Sequence, residues 1–301
     1  MNKKDFEVII IGGSYAGLST AMALGRSLRT TLVIDAGNPC NRQTPHSHNF
    51  LTQDGSTPNE ISEIAQDQVK KYNSVHFYNG LVVSGKKVKN GFEVTTHKGD
   101  SFTAKKMVFA SGIKDLMPSI KGFSECWGIS VVHCPYCHGY EIRNTKTAII
   151  ANGDRAFHLA SLINNLTDQI TVLTNGKHDF DETQIKKLER HNIKIIDKKV
   201  LEIEHVNGHL EKVVFYDGSK ESFEYAYASI PFEQNSHLPK MLGCNLTDQG
   251  HIEVNAMQKT TQEGIFACGD NSSMMRSVAT AVYGGNLTGA MINHELTQES
   301  F

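Results

Sequence analysis

One local pattern occurs twice in this chain and restricts its fold more than any other feature: an apolar strand that turns at glycine and continues as a helix. The copies are "FEVIIIGGSYAGLSTAMALG", residues 6–25, and "TAIIANGDRAFHLASLINNL", residues 147–166. Each is followed by a further apolar run, "TTLVIDAG" after the first and "QITVLTNG" after the second. Strand, helix and strand in this order form a βαβ unit, whose strands lie parallel in one sheet. The sequence therefore predicts an α/β fold with two Rossmann-like domains.

The two βαβ units also predict a division of the chain. A chain of 301 residues is long for one hydrophobic core, so two domains are expected. We place a discontinuous first domain at residues 1–117 and 245–301, with the second domain inserted into it at residues 118–244. Within the first domain, "TPNE" at residues 57–60 predicts the start of a helix, because it combines an N-cap, a first-turn proline and a capping box.

The first glycine turn, "GGSYAG", matches the dinucleotide fingerprint G-x-G-x-x-G except that Ser14 stands at the middle glycine. In that motif the pyrophosphate lies against a helix N-terminus, and an acid after the next strand binds a ribose hydroxyl. Asp35 is the acid that ends the next predicted strand. The strand before the turn and the helix after it favour a dinucleotide site. The alternative is a structural turn in an unrelated α/β protein.

Composition and charge disfavour several classes of partner. The formal net charge of −2 gives no reason to expect nucleic acid or an anionic membrane. No apolar run approaches the roughly 18 residues of a membrane span, and the run after Lys3 and Lys4 is too short for a secretory signal. We therefore expect a cytoplasmic protein. Of the 6 cysteines only Cys134 and Cys137 are closely spaced, and the others are expected to be buried, reduced thiols.

The stretch "HCPYCHGYE", residues 133–141, carries these two cysteines and permits three kinds of site. The spacing C-x-x-C-H attaches haem c, sulfur and imidazole groups bind zinc, and a C-x-x-C pair acts as a redox dithiol. Haem is disfavoured by the missing export signal, and zinc is disfavoured because a tetrahedron would require a short loop to fold back on itself. A helix starting near Cys134, with Pro135 in its first turn, lowers the pKa of that cysteine and favours the dithiol.

Two further strand ends, "ASG" at residues 110–112 and "GIFACGD" at residues 264–270, fit a flavoprotein with two dinucleotide-binding domains. The order of fingerprint, "ASG", C-x-x-C, second glycine turn and "GIFACGD" resembles the low-molecular-weight thioredoxin reductase family over the whole chain. Within that family, "CPYCHGYE" resembles the dithiol oxidases of gliotoxin and holomycin biosynthesis. The resemblance implies a homodimeric FAD enzyme that acts on a thioredoxin-like protein or a small dithiol or disulfide.

The resemblance also implies roles for individual residues. Cys137 would face the flavin and Cys134 would meet the substrate. His138 stands where the reductases carry the aspartate that moves the proton, and an imidazole would do so in the neutral pH range. Ser277 and Val278 replace the Gln-Ala that the reductases usually place beside the flavin. The residues expected to contact FAD are Gly12, Gly13, Ser14, Ala16, Gly17, Asp35, Gly112, Gly269, Asp270, Arg276, Ser277 and Val278.

The second glycine turn departs from a coenzyme site. In "ANGDRA", residues 151–156, alanine stands at the first glycine of G-x-G-x-x-A. At the end of the following strand an NADPH site needs arginines and an NADH site needs an acid, yet the chain has "TNG" at residues 174–176. Lys177 and His178 lack the planar fork of an arginine. We therefore expect binding of NAD(P)H to be weak or absent.

Three functions stay open on these grounds. The favoured one is an FAD-dependent dithiol/disulfide oxidoreductase that exchanges electrons between the flavin and the Cys134–Cys137 pair, with weak or absent use of NAD(P)H. The first alternative is a conventional NADPH-dependent thioredoxin-disulfide reductase, which residues 174–176 disfavour. The second is a non-catalytic redox-sensing flavoprotein, which the intact C-x-x-C-H disfavours. No metal is expected in any of them.

Overall fold

The computed structural model describes residues 5–301, and residues 1–4, with which the predicted first domain begins, lie outside the described part of the chain. Two compact units are formed. The first comprises the chain up to Arg42, Phe50–Lys114 and Phe232–Phe301, and the second comprises Gln43–Asn49 and Asp115–Pro231. Residues 232–244, which the sequence-based division places in the inserted domain, group with the first unit. The exact boundaries given above stay a prediction.

The strands and helices are numbered along the chain. Those from the first unit's N-terminal part are β1 (Asp5–Ile11), α1 (Tyr15–Arg26), β2 (Thr31–Asp35), α2 (Pro58–Val69), β3 (Val75–Asn79), β4 (Val82–Val88), β5 (Gly91–Thr96), β6 (Ser101–Phe109) and β7 (Ile113–Asp115). There follow α3 (Phe123–Cys126), β8 (Val131–Val132), α4 (Pro135–His138), β9 (Thr147–Ile150), α5 (Gly153–Ile163), β10 (Ile170–Leu173), α6 (Glu182–Arg190), β11 (Lys194–Ile196), β12 (Val200–Val206), β13 (His209–Phe215), β14 (Lys220–Ser222) and β15 (Tyr225–Ala228). The last are β16 (Phe232–Gln234), α7 (Leu238–Met241), β17 (Ile265–Ala267) and α8 (Val278–Ser300). None of the helices within residues 5–301 has the length and apolar character needed to cross a bilayer.

The sheet of the first unit has the strand order β3-β2-β1-β6-β5-β4, and β17 pairs with the C-terminal part of β6. β1 runs parallel to β2 and β6, and β17 runs parallel to β6. Side chains alternate between the two faces of a strand. Ile9 and Ile11 accordingly lie in the core on one face, whereas Val8 and Ile10 lie in the core on the other. Both faces of β1 are therefore covered, which explains its uninterrupted apolar sequence.

Helix α2 begins where the "TPNE" signal predicts. The Thr57 hydroxyl accepts a hydrogen bond from the Glu60 amide over 3.2 Å, and the Glu60 carboxylate accepts one from the Thr57 amide over 2.8 Å. Pro58 occupies the first helical position. The predicted capping box is confirmed, because both of its hydrogen bonds are present.

Helices α1 and α8 pack against each other through small residues. Thr20 is fully buried, and its hydroxyl lies 3.0 Å from the Gly285 carbonyl oxygen. The Ser19 hydroxyl donates to the Val282 carbonyl over 2.7 Å. A Cβ at Gly285 would lie 2.1 Å from the Ala16 carbonyl oxygen, so only glycine permits this approach of the two backbones. The last helix of the unit, α8, thus packs directly against the first, α1.

The second unit contains the second βαβ pattern. Its main sheet has the order β11-β10-β9-β15-β8, and all of its paired strands are parallel. β9, α5 and β10 form the βαβ unit, and β12, β13 and β14 form a separate antiparallel sheet. The predicted α/β class with two Rossmann-like units is confirmed.

The packing of α1 on α8 predicts the effect of two adjacent glycine substitutions. Gly285→Ala should lower the free energy of unfolding by about 1–3 kcal/mol, because the added methyl group overlaps the α1 backbone. Gly284→Ala is the matched control, because the nearest atom to its added Cβ is the Cβ of Cys268 at 3.6 Å. That change should leave stability equal or raise it by up to about 1 kcal/mol, as alanine favours helix over glycine. Urea unfolding measures both, and equal stability of the two variants would contradict the close contact.

Candidate functional site

Three parallel strands of the first unit end side by side. β1, β6 and β17 are neighbours in the sheet, so their carboxyl ends share one edge. Gly12 follows β1, Gly112 lies just beyond β6, and Gly269 and Asp270 lie just beyond β17. Ligands of open α/β sheets bind at this kind of edge. The fingerprint and the two later motifs therefore come from a single edge of the first unit.

A cleft of about 840 Å³ opens beside the first glycine turn. Gly12 has a φ of 108°, and a Cβ there would lie 2.2 Å from the Ala110 carbonyl oxygen. The Gly13 amide donates to Asp35 Oδ1 over 3.0 Å, and a Cβ at Gly13 would lie 2.8 Å from the Asp35 Cβ. Glycine at these two positions therefore brings the backbone of the turn and the Asp35 carboxylate together in the cleft.

The N-terminus of α1 has the properties of an anion site. Ser14 is the N-cap residue and lines the cleft, but its side chain makes no capping hydrogen bond. The first turn, which includes Ala16 and Gly17, contains no acid. The first amides of a helix have no acceptor within the helix and bind phosphate groups readily. Together with Asp35, this arrangement fits the pyrophosphate and ribose of a dinucleotide.

The cleft also contains residues that no motif marked. Asn41 and Arg42 come from the loop after β2, and Asn235 and Ser236 come from the turn after β16. The Asn235 side chain donates to the Ser111 carbonyl over 3.1 Å. These residues reach the cleft through tertiary folding, so the local sequence around them carries no signal of their position.

The remaining predicted FAD contacts lie around the end of β17. Arg276 Nε lies 3.8 Å from Asp270 Oδ2. Ser277 is the N-cap of α8, and its hydroxyl accepts a hydrogen bond from the Thr280 amide over 3.1 Å. Val278 is the first residue of that helix. Gly112, Gly269, Asp270 and the residues from Arg276 to Val278 do not line the cleft beside the fingerprint, so the structure divides the predicted contacts into two groups.

The four cysteines outside the C-x-x-C pair differ in their exposure to solvent. Cys126, Cys244 and Cys268 are buried, and burial raises the pKa of each thiol, which keeps it protonated. Cys40 is exposed, so the expectation that it is buried was wrong. Its sulfur lies 3.9 Å from Asp270 Oδ2. The loop after β2 carries it to the surface, where no sheet covers it.

The structure joins Cys134 and Cys137 in a disulfide, with their Cα atoms 5.3 Å apart. Helix α4 begins at Pro135, as the sequence predicted, and Cys134 is its N-cap residue. The Cys137 amide donates to Cys134 Sγ over 3.2 Å, a contact that also stabilises a thiolate at Cys134. Residues 5–301 contain no cluster of three or more His, Cys, Asp or Glu side chains arranged to hold a metal ion.

His138 ends α4 and is partly buried. Burial, followed by the charge of nearby His48, lowers the pKa of His138 to about 4. The expectation that this histidine titrates in the neutral range is therefore corrected: its imidazole is neutral at pH 7 and has a free acceptor site for a proton. His133, at the other end of the motif, packs at 6.0 Å from the Trp127 ring.

In the second unit, the N-terminus of α5 is covered by the chain itself. The Asn152 side-chain oxygen accepts from the amides of Gly153 and Asp179, over 2.8 and 2.9 Å, and its nitrogen donates to the Lys177 carbonyl over 2.9 Å. A Cβ at Gly153 would lie 3.2 Å from the Asp179 carbonyl oxygen, which shows how closely the loop approaches. Asp154 adds an acid in the first turn of the helix. The N-terminus of α5 therefore differs from that of α1 in two ways: its own loop covers it, and its first turn contains an acid.

The residues at the end of β10, where the ribose of a coenzyme would bind, also make hydrogen bonds to other residues of the second unit. Thr174 is buried, and its hydroxyl lies 2.9 Å from Asp197 Oδ1. The Asn175 side-chain oxygen accepts from the Val200 amide over 2.8 Å. His178 Nδ1 lies 2.5 Å from Asp197 Oδ2. Burial acts to raise the pKa of Asp197, but the hydrogen bonds from His178 and Thr174 outweigh it, so this pKa is lowered. The side chains at this strand end thus already have partners within the second unit.

Comparison with known proteins places these features in context. The family model described as "Pyridine nucleotide-disulphide oxidoreductase" matches residues 6–285. A protein of Claviceps purpurea named "Thioredoxin reductase tcpT" is 30% identical, over 96% of this chain and 94% of its own length. The structure of a putative thioredoxin reductase TrxB from Bacillus anthracis has a TM-score of 0.93 and 30% identity, covering 98% of this chain and 100% of its own. An oxidoreductase structure from Agrobacterium tumefaciens has a TM-score of 0.92 and 36% identity, over 98% and 99% of the two chains.

The pKa of His138 predicts how stability depends on pH. The folded protein protonates this residue near pH 4, whereas the unfolded chain does so near 6.5. The unfolded state therefore binds more protons between these values, so stability falls as the pH decreases through that window. Between pH 7 and pH 5, the wild type should lose about 2 kcal/mol more than His138→Gln, which has no titrating group. Urea unfolding at both pH values tests this, with the exposed His158→Gln as control; equal losses in wild type and His138→Gln would refute it.

Proposed function

The chain belongs to the pyridine nucleotide-disulphide oxidoreductase family and is a thioredoxin reductase-like flavin oxidoreductase; from that premise we propose that it exchanges electrons between FAD and the Cys134–Cys137 dithiol with weak or absent use of NAD(P)H. The observation that carries this proposal is the disulfide at the start of α4. A pair of cysteines that closes across one helical turn can open and close without rearranging the fold. The substrate is a thioredoxin-like protein or a small dithiol or disulfide, and the enzyme is a cytoplasmic homodimer.

The residues of the first unit fit FAD in two groups. Gly12, Gly13, Ser14 and Asp35 would hold the pyrophosphate and the adenosine ribose, with Ala16 and Gly17 forming the helix start behind them. Gly112, Gly269, Asp270 and the segment from Arg276 to Val278 would hold the remainder of the cofactor. Bound FAD supplies a two-electron acceptor or donor for the dithiol. The open, acid-free N-terminus of α1 is what supports this assignment.

The chain's own residues perform the sulfur chemistry. In the oxidising direction a substrate thiolate attacks Cys134, the Cys134–Cys137 bond breaks, and Cys137 leaves as a thiolate. The Cys137 amide, which donates to Cys134 Sγ, favours the thiolate form of Cys134 when the dithiol is reduced. His138 is neutral at pH 7 and accepts the proton that a thiol releases. In the reducing direction each step is reversed.

Weak use of NAD(P)H is supported by two features of the second unit. A coenzyme pyrophosphate would need the amides at the start of α5, but the Asn152 side chain occupies the Gly153 amide, and Asp154 repels an anion there. A coenzyme ribose would need a free acid or arginine after β10, but Asp197 is already bound to His178. Binding would have to break these contacts before it formed new ones.

A conventional NADPH-dependent reductase is the second candidate. It is favoured by the names of the similar proteins, since those from Claviceps purpurea and Bacillus anthracis are both called thioredoxin reductases. The two candidate functions differ in whether NADPH or NADH reduces the bound flavin rapidly, so the rate of that reaction distinguishes them.

We expect neither NADPH nor NADH to reduce the bound flavin at a rate typical of reductases. The reason is that the groups of the second unit that would bind the coenzyme already form hydrogen bonds with one another. Dithiothreitol should bleach the same flavin, which serves as the positive control for an intact dithiol pathway. Anaerobic stopped-flow absorbance measures both reactions. Complete bleaching within about a second at micromolar NADPH, a turnover ordinary for enzymes, would establish the conventional reductase instead.

The two cysteines are expected to differ in reactivity. In Cys137→Ser, the remaining Cys134 should attack a chromogenic disulfide at least about tenfold faster than Cys137 does in Cys134→Ser, because the backbone amide stabilises only the Cys134 thiolate. Both variants need a Cys40→Ser background, since Cys40 is exposed and would react as well. Absorbance of the released thiol gives the rates. The reverse order of reactivity would show that the two roles are exchanged.

A further inference from the structure

An acid reaches the end of β10 from the neighbouring strand. In a dinucleotide-binding unit, an acid at the end of the second strand binds the hydroxyls of the coenzyme ribose, but the residues that follow β10, 174–176, are "TNG". β11 runs parallel to β10, with Leu173 paired to Ile196, so both strands end at the same edge of the sheet. Asp197 is the first residue after β11. The fold therefore brings a carboxylate to the strand end at which the local sequence has none.

Asp197 is held at the end of β10 by hydrogen bonds. The Thr174 amide donates to the Ile196 carbonyl over 3.3 Å, and the Thr174 hydroxyl lies 2.9 Å from Asp197 Oδ1. Burial acts to raise the pKa of Asp197, but the hydrogen bonds from His178 and Thr174 outweigh it and lower this pKa. The side chain is therefore an ionised carboxylate at neutral pH. It is 39% exposed, so a ligand can reach it from solvent.

One oxygen of this carboxylate has a partner that a ligand can replace. His178 Nδ1 lies 2.5 Å from Asp197 Oδ2, and the His178 side chain is 32% exposed. The His178 ring also stacks on the ring of Phe180, with their centroids 6.0 Å apart. The imidazole keeps this packing contact when a ligand hydroxyl takes its place at Oδ2. His178 thus competes with a ribose hydroxyl for the carboxylate, which weakens binding without abolishing it.

A carboxylate at this strand end distinguishes the two nicotinamide coenzymes. An ionised aspartate only accepts hydrogen bonds, so it matches the 2′- and 3′-hydroxyls of the NADH ribose, both of which can donate. NADPH carries a phosphate at the 2′ position, and the carboxylate repels this anion. Arginine, whose planar fork binds such a phosphate, does not occur in residues 174–179 or 197–199.

Nearby lysines favour the opposite preference. Lys177 lies in the loop after β10, and Lys198 and Lys199 follow Asp197; all three are exposed. Lys198 is already paired with Asp217, over 2.8 Å. A lysine attracts a phosphate only as a point charge on a flexible stem, whereas Asp197 is fixed by two hydrogen-bond partners at the strand end itself. The carboxylate therefore governs the selection.

We propose that Asp197 is the specificity-determining residue of a weak coenzyme site in the second unit, and that this site selects NADH over NADPH. The inference rests on the proposed function, in which the use of NAD(P)H is weak, and adds which of the two coenzymes the site accepts. Asn152 and Asp154 at the start of α5 oppose both coenzymes alike, since both carry the same pyrophosphate. The preference therefore arises at the ribose.

The test measures binding to the FAD-loaded protein by isothermal titration calorimetry, with NAD⁺ and NADP⁺ as probes. They differ from each other in the same 2′ group as NADH and NADPH, but neither can reduce the flavin. NAD⁺ should bind at least about tenfold more tightly than NADP⁺, the factor that one hydrogen bond to a charged group provides. Equal affinities or a preference for NADP⁺ would overturn the inference. Failure of both probes to bind at millimolar concentration, to the wild type and to His178→Ala, would overturn it as well.

Variants locate the preference at Asp197. Asp197→Asn removes the negative charge at nearly constant shape and should reduce the preference for NAD⁺ to less than about threefold, whereas His178→Ala frees Asp197 Oδ2 and should tighten NAD⁺ binding by about 3- to 10-fold. The control is Asp168→Asn, which removes the same charge from an exposed residue before the opposite end of β10 and should leave both affinities unchanged. A folded Asp197→Asn protein that keeps the full preference would contradict the assignment. If that variant does not fold, the wild-type ratio and the effect of His178→Ala decide the question.

The proposed function and this inference fail on different results. Rapid bleaching of the flavin by NADPH or NADH would refute weak use of the coenzyme, whatever the ratio of the two affinities. The wrong ratio would refute only the role of Asp197, because dithiothreitol would still reduce the flavin through the Cys134–Cys137 pair.

Discussion

The close contact of the backbone at the end of β1 is the constraint on which the first unit depends. A Cβ at Gly12 would lie 2.2 Å from the Ala110 carbonyl oxygen, and one at Gly17 would lie 1.9 Å from the Gly12 carbonyl oxygen. Only glycine permits a strand to turn so tightly into a helix that its amides face the sheet edge. Since Asp35 is bonded to the same turn, this backbone geometry sets the position of the helix, the carboxylate and the cleft together.

The two units share an architecture but differ in the side chains at the start of the helix that follows each glycine turn. Both contain a parallel sheet and a glycine turn before a helix, but α1 begins with a side chain that caps nothing, whereas α5 begins with Asn152 bonded to its own loop. An acid stands in the first turn of α5 and none stands in that of α1. The difference lies in a few side chains at the helix start, and an acid in the first turn makes the start of α5 less favourable for an anion than that of α1.

Sequence patterns predicted the features that local interactions determine. The capping box at Thr57, the start of α4 at Pro135 and the strand–turn–helix pattern at Gly12 each involve residues only a few positions apart. Features that depend on distant residues could not be predicted in this way. Asn235 reaches the cleft, and Cys40 lies on the surface, because of tertiary folding. Likewise, the low pKa of His138 arises from burial and from His48, which is far away along the chain.

The pairing of β17 with β6 has a consequence for synthesis on the ribosome. Met107, Val108 and Phe109 of β6 pair with Ile265–Ala267 and are fully buried in the folded protein. During translation, β6 emerges more than a hundred residues before its partner, so this strand edge stays open while the residues of the second unit are made. At about 5–20 residues per second, the delay lasts on the order of ten seconds. An open apolar strand edge invites pairing with other chains, so the nascent protein is most prone to aggregate in the interval before its last strand appears.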